Sequence, residues 1–107
     1  MDSVKFKTII DKKGRISGLS IGGLLVIENS HYIQKELIGI LNNLNSKVEI
    51  TIDEVDDIDL SFVQLMVAFT RKLAVNKNKY QIFWSLEEEH RMLFENVGLS
   101  NELFINE

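Results

Sequence analysis

Asp57, Asp59 and Ser61 stand at alternate positions in the stretch VDDIDLSFVQLM, Val55 to Met66. Oxygen ligands at that spacing begin a calcium loop, and a serine beside carboxylates also suits a nucleophile, a phosphate acceptor or a helix cap. The calcium reading fails on the residues that follow. Counted from Asp57, the sixth position needs glycine for a sharp turn and holds Phe62, and the twelfth needs a bidentate Glu and holds Ala68. Asp53, at the end of an apolar run, could accept a phosphoryl group, but that chemistry needs a preceding acidic pair for magnesium, which Asp2 and Asp11 do not form.

No enzyme emerges from the remaining reactive residues. The two histidines, His31 and His90, lack the spacing of a zinc motif and the neighbours of a general base. There is no cysteine, hence no thiolate ligand, nucleophile or disulfide. SGLSIGG (Ser17 to Gly23) contains neither G-x-G-x-x-G nor G-K-S/T, so it is expected to be a turn rather than a phosphate cradle. The acids of LEEEH suit the first turn of a helix, where the dipole favours negative charge. No metal and no cofactor are expected.

The structural role open to Ser61 is a cap: Ser61-Phe62-Val63-Gln64 fits S-x-x-Q at the head of a helix. In that helix Phe62, Leu65, Met66, Phe69 and Leu73 form one stripe. The opposite face, at about 100° per residue, carries Gln64, Val67, Ala68, Arg71 and Val75. That outer face is apolar enough either to dock a protein partner or to be covered by a neighbouring element. Trp84, at a strand end, is expected in the core.

The elements that must position these residues alternate along the chain. VKFKTIID (Val4 to Asp11) alternates as a half-buried strand, KKGR looks like a hairpin turn, and IGGLLVIEN (Ile21 to Asn29) is a more buried strand. From Ser30 the period becomes helical, with Ile33, Leu37, Ile40, Leu41 and Leu44 on one face and Asn42, Asn43 and Asn45 closing it. KVEITID (Lys47 to Asp53) is a strand and the acids after it an exposed loop. The Ser61 helix ends at Asn76 and Asn78, and KYQIFWS (Lys79 to Ser85) is a further strand. Ser85 and Glu88 match a capping box for a third helix, whose stripe of Leu86, Leu93, Phe94 and Val97 stops at Gly98 before a short last strand. The order β-β-α-β-α-β-α implies a single α/β domain: a mixed central sheet of four to five strands with three covering helices.

Composition narrows the class. A chain of 107 residues with 45% hydrophobic residues and no low-complexity tract can bury one core, and reads as an ordinary soluble globular domain. A net charge of -4 with 12 scattered Lys and Arg argues against nucleic acid as partner. The N-terminus lacks the apolar core of a signal peptide and no segment reaches the roughly 18 apolar residues of a span, so a cytoplasmic protein without direct membrane insertion is expected.

The strand KVEITID, the acidic segment, DLSFVQLM at the head of a helix, the strand YQIFWS and MLFENVGL near the end together resemble a STAS domain, the fold of bacterial anti-sigma factor antagonists. The resemblance runs roughly from Leu24 to Phe104, and its most specific pieces are the D-x-S start of the second helix and the VGL closing the third. It implies a non-enzymatic protein-interaction module in bacterial signalling, a partner-switching protein bound by a serine kinase or anti-sigma factor. Carried across, Asp59 matches the motif's Asp and Ser61 its phosphorylated serine. The family motif resembles D-S/T-S-G-L, and this chain has Leu60 and Phe62 where a small hydroxyl residue and a glycine are usual. Gln64-Leu65 resembles the QLL of a branch associated with chemotaxis and lipid-transport systems, which implies the alternative of a constitutive accessory subunit without phosphorylation. On either reading Asp57, Asp59, Leu60, Ser61, Phe62, Gln64, Val67, Ala68 and Arg71 are the expected partner-binding residues. A small-molecule binding domain is the remaining alternative and has no motif behind it.

Overall fold

The computed structural model of the chain describes residues 4–91. Within them the fold is α/β, with a mixed four-stranded sheet in the order β1-β2-β3-β4. Strand β1 (Val4–Ile10) pairs antiparallel with β2 (Ile16–Leu25), while β3 (Leu44–Ile58) and β4 (Lys79–Trp84) each add in parallel. Helix α1 (Ser30–Ile40) links β2 to β3, and α2 (Leu60–Val75) links β3 to β4. Both crossovers step the same way across the sheet, so the right-handed rule places both helices on one face, where they pack together.

The register explains the core. Leu19, Ile50 and Ile82 form one cross-strand row, and Ile21, Ile52 and Trp84 the next. Ile33 and Leu37 of α1 and Phe62, Met66, Phe69 and Leu73 of α2 close over these rows. Each such side chain taken from water contributes about 1.5–3 kcal/mol. On the opposite face the rows are mixed: Lys7, Ser20, Thr51 and Phe83 lie in register, and Phe83 is exposed.

The β1–β2 turn is built by Asp11. Its Oδ1 accepts from the N–H of Lys13 at 2.8 Å and of Arg15 at 3.0 Å, while Gly14 takes the left-handed φ of 78° that the turn requires. Beyond α2, Asn76 is the C-cap. Asn78 N–H donates to Leu73 O at 2.9 Å and Lys77 N–H to Ala74 O at 3.1 Å, the paired bonds of a Schellman cap, with Lys77 at φ 62° where glycine is usual.

Four expectations need correction. Leu44 and Asn45, expected on and at the end of the first helix, instead open β3, since α1 stops at Ile40 and Leu41–Asn43 is a short 3-10 turn. SGLSIGG is not a turn but the body of β2, which begins at Ile16 and ends at Leu25; Ile27–Asn29 is a short 3-10 turn. Its glycines serve close strand approach, since a Cβ on Gly22 would lie 2.1 Å from Asp53 O. The acids after Asp53 are not a loop either. β3 continues through them to Ile58, past an irregularity where Glu54 adopts φ 51° and the pairing register shifts. Finally, the chain becomes helical again at 88–91, two residues later than a Ser85 cap implies: Ser85 N–H extends the sheet by donating to Ile52 O at 2.8 Å, and Glu87 O accepts the first helical bonds. The expected stripe residues Leu93, Phe94 and Val97, the stop at Gly98 and a last short strand lie outside the described residues.

Candidate functional site

The loops that follow β2 and β3 meet at the carboxyl ends of these parallel strands, and Asp59 joins them. Asp59 N–H donates to Leu25 O at 3.1 Å. Its Oδ2 accepts from Ile27 N–H at 3.0 Å, and its Oδ1 from Ser61 N–H at 2.9 Å and from the Ser61 hydroxyl. Asp59, in extended conformation, is therefore the N-cap of α2. Ser61, expected in that role from S-x-x-Q, lies inside the first turn as a donor to the cap. An aspartate two residues ahead has already taken the capping position.

Partial burial pushes the Asp59 carboxyl up, but the Ser61 hydroxyl and the N–H groups of Ile27, Ser61 and Phe62 outweigh it. The net result holds Asp59 below the ordinary carboxylate range. Ser61 itself is half-buried. Beside it, Leu60 is 41% exposed and Ile27 61% exposed, an aliphatic pair at the mouth of the two loops. Nothing in the sequence pattern singled out Ile27; chain topology alone brings it to Asp59.

The other expected site residues divide. Gln64, Ala68 and Arg71 are exposed on the outer face of α2, Val67 is half-buried beside them, and Val75 continues the face at the helix end. No neighbouring element of the described residues covers that face. Phe62 does not belong to it: it is 1% exposed and meets Trp84 edge to face, ring centroids 6.2 Å apart at 83°. Trp84 is half-buried and packs against the core, as expected. Asp57 lies at the end of β3, its Oδ1 accepting from Ile58 N–H at 2.9 Å. The same oxygen is 3.7 Å from Nε2 of His90, which the fold half-buries against this acidic end. His31 is exposed.

Among the described residues no group of His, Cys, Asp or Glu is arranged to hold a metal ion, and no helix is long and apolar enough to cross a membrane. Compared with known proteins, the chain matches no family model and no curated protein.

Proposed function

We propose that the chain is a STAS-like, non-enzymatic protein-interaction module of the bacterial cytoplasm, a partner-switching antagonist regulated at Ser61. The observation that carries this reading is the hydrogen bond from the Ser61 hydroxyl to Asp59, the residue that ties both crossover loops to the head of α2. Phosphorylation would replace that donor by a group of charge about -1.5 to -2, set against the Asp59 carboxylate. Helix N-terminal N–H groups tolerate an anion, so the fold would persist. The surface carrying Ile27 and Leu60 would instead become strongly negative, and a partner seated there would be released.

A second reading rests on a different observation, the open outer face of α2 with Leu60, Ala68 and Val75 exposed. A constitutive accessory subunit of a chemotaxis or transporter assembly would use that face without modification. Affinity capture from the native host with wild-type, Ser61→Ala and Ser61→Glu baits, quantified by mass spectrometry, separates the two. Partner switching requires an ATP-binding kinase or anti-sigma factor held by wild type and Ser61→Ala and reduced at least about tenfold, 1.4 kcal/mol, by Ser61→Glu. Equal retention of one assembly component by all three baits selects the constitutive subunit. Capture of no specific component sinks both.

A further inference from the structure

Of the 12 Lys and Arg that look scattered in sequence, seven are gathered in space. Because β2, β3 and β4 run parallel, the β1–β2 turn, the start of β3 and the α2–β4 turn share one end of the sheet. Side-chain amides pin them together: Asn43 donates to Gly14 O at 3.2 Å, Asn45 to Asp11 Oδ2, and Asn78 to Asn45 O at 2.9 Å. Lys12, Lys13, Arg15, Lys47, Lys77 and Lys79 are thereby gathered at this pole, all exposed, with Lys72 beside them in the last turn of α2. Among the described residues, the carboxylate at this end is Asp11, engaged in its turn; the next along β3 is Glu49.

Two features of the pole oppose folding. Lys47 faces Lys79 in the β3–β4 ladder, and like charges directly opposite are destabilising. Lys77 holds φ 62°, which glycine adopts at lower cost. Cations kept where they weaken the fold point to a use outside it. Ile10, 59% exposed at the end of β1, and Val75, 77% exposed at the end of α2, add aliphatic side chains at the same pole.

We infer that this pole docks on an anionic lipid bilayer, its cations on the headgroups and Ile10 and Val75 at the boundary with the acyl chains. Basic and aliphatic side chains on one exposed surface are the combination that holds a peripheral protein at a charged interface. Net charge does not oppose this. Among the acids of β3, Glu49 alone lies within the screening length of about 8 Å at physiological salt, whereas the acidic end at Asp57 is ten positions from Lys47, roughly 30 Å, several times that length. Nucleic acid fits less well, because stacking on bases needs an exposed ring, and Phe83 lies toward the other end of β4. Docked in this way, the protein presents Asp59 and Ser61 away from the membrane.

Cosedimentation of the full chain with phosphatidylcholine vesicles, with and without phosphatidylglycerol, tests the docking. Binding is expected to the anionic vesicles alone and to weaken with salt. Lys12→Glu/Lys79→Glu should lower it at least about tenfold, while Lys5→Glu/Lys35→Glu, of identical net charge but away from the pole, should change it less than about twofold. Unchanged thermal melts of both double variants confirm that each is folded. Ile10→Ser/Val75→Ser should release the fraction that survives raised salt. No sedimentation with anionic vesicles, equal loss in the two charge variants, or tighter binding to a nucleic-acid oligomer than to vesicles would overturn the inference.

Discussion

Asp59 engages both carboxylate oxygens, one on the head of α2 and one on the turn that follows β2. Asn in its place keeps an acceptor for Ser61 N–H, but its amide nitrogen cannot accept from Ile27. Asp59→Asn is therefore expected to destabilise the chain by about 1 kcal/mol at neutral pH, within the range of lost caps. The pH dependence follows from the lowered folded pKa. The carboxylate's contribution is complete above the unfolded value of about 3.9 and disappears as pH falls through the folded value. Urea unfolding of wild type and Asp59→Asn should show the full difference at neutral pH and a shrinking one as pH is lowered below about 3.9; a gap of constant size across that range would mean that charge on Asp59 plays no part. Phe62 tests a different quantity. Buried against Trp84, it should cost about 3–5 kcal/mol on replacement by Ala, whereas Gln64→Ala, on the outer face of the same helix, should stay within about 0.5 kcal/mol.

At the scale of elements, hydrophobic period made the helices and the two later strands legible: Ile33 and Leu37 in α1, and Phe62, Met66, Phe69 and Leu73 in α2, are the buried residues their spacing predicts. The glycines of β2 misled because composition cannot distinguish a turn from a strand pressed against its neighbour's backbone. The acids of β3 misled because polar residues at a strand's exposed end look like a loop, and the positive φ of Glu54 has no sequence signature. At the site, D-x-S placed Asp59 and Ser61 together at the head of α2, but which of them caps it was not legible, since S-x-x-Q and D-x-S compete for one helix start. Two glycines measure the difference between a required and a spare position. Gly22→Ala forces a Cβ onto Asp53 O and should cost about 1–3 kcal/mol, with faster hydrogen exchange along β2 and β3. Gly39→Ala, in α1 with open space around it, should stabilise the chain by about 0.5–1 kcal/mol. If thermal or urea unfolding shows Gly22→Ala to be neutral, the close β2–β3 approach is wrong.

For the whole molecule, strand direction sorts the charges. Seven of the 12 Lys and Arg collect where the parallel strands begin, and Glu28, Asp53, Glu54, Asp56, Asp57 and Asp59 where they end, with Lys5 among them 3.6 Å from Glu54, in a globule whose longest extent is 39 Å. Each pole lies beyond the screening length of the other at physiological salt, so a charged surface approaching the molecule meets one pole rather than the net charge of -4. The folded chain is therefore expected to be retained at modest ionic strength on both a cation exchanger, through Lys12, Lys13 and their neighbours, and an anion exchanger. Unfolding removes the sorting: in urea the same residues are interleaved along a flexible chain, and the net negative charge should leave retention on the anion exchanger alone. Lys12→Glu/Lys79→Glu should abolish retention of the folded protein on the cation exchanger, which Lys5→Glu/Lys35→Glu should preserve. Loss of cation-exchange retention in both double variants, or its persistence in urea, would trace the behaviour to total charge or local sequence rather than to the fold.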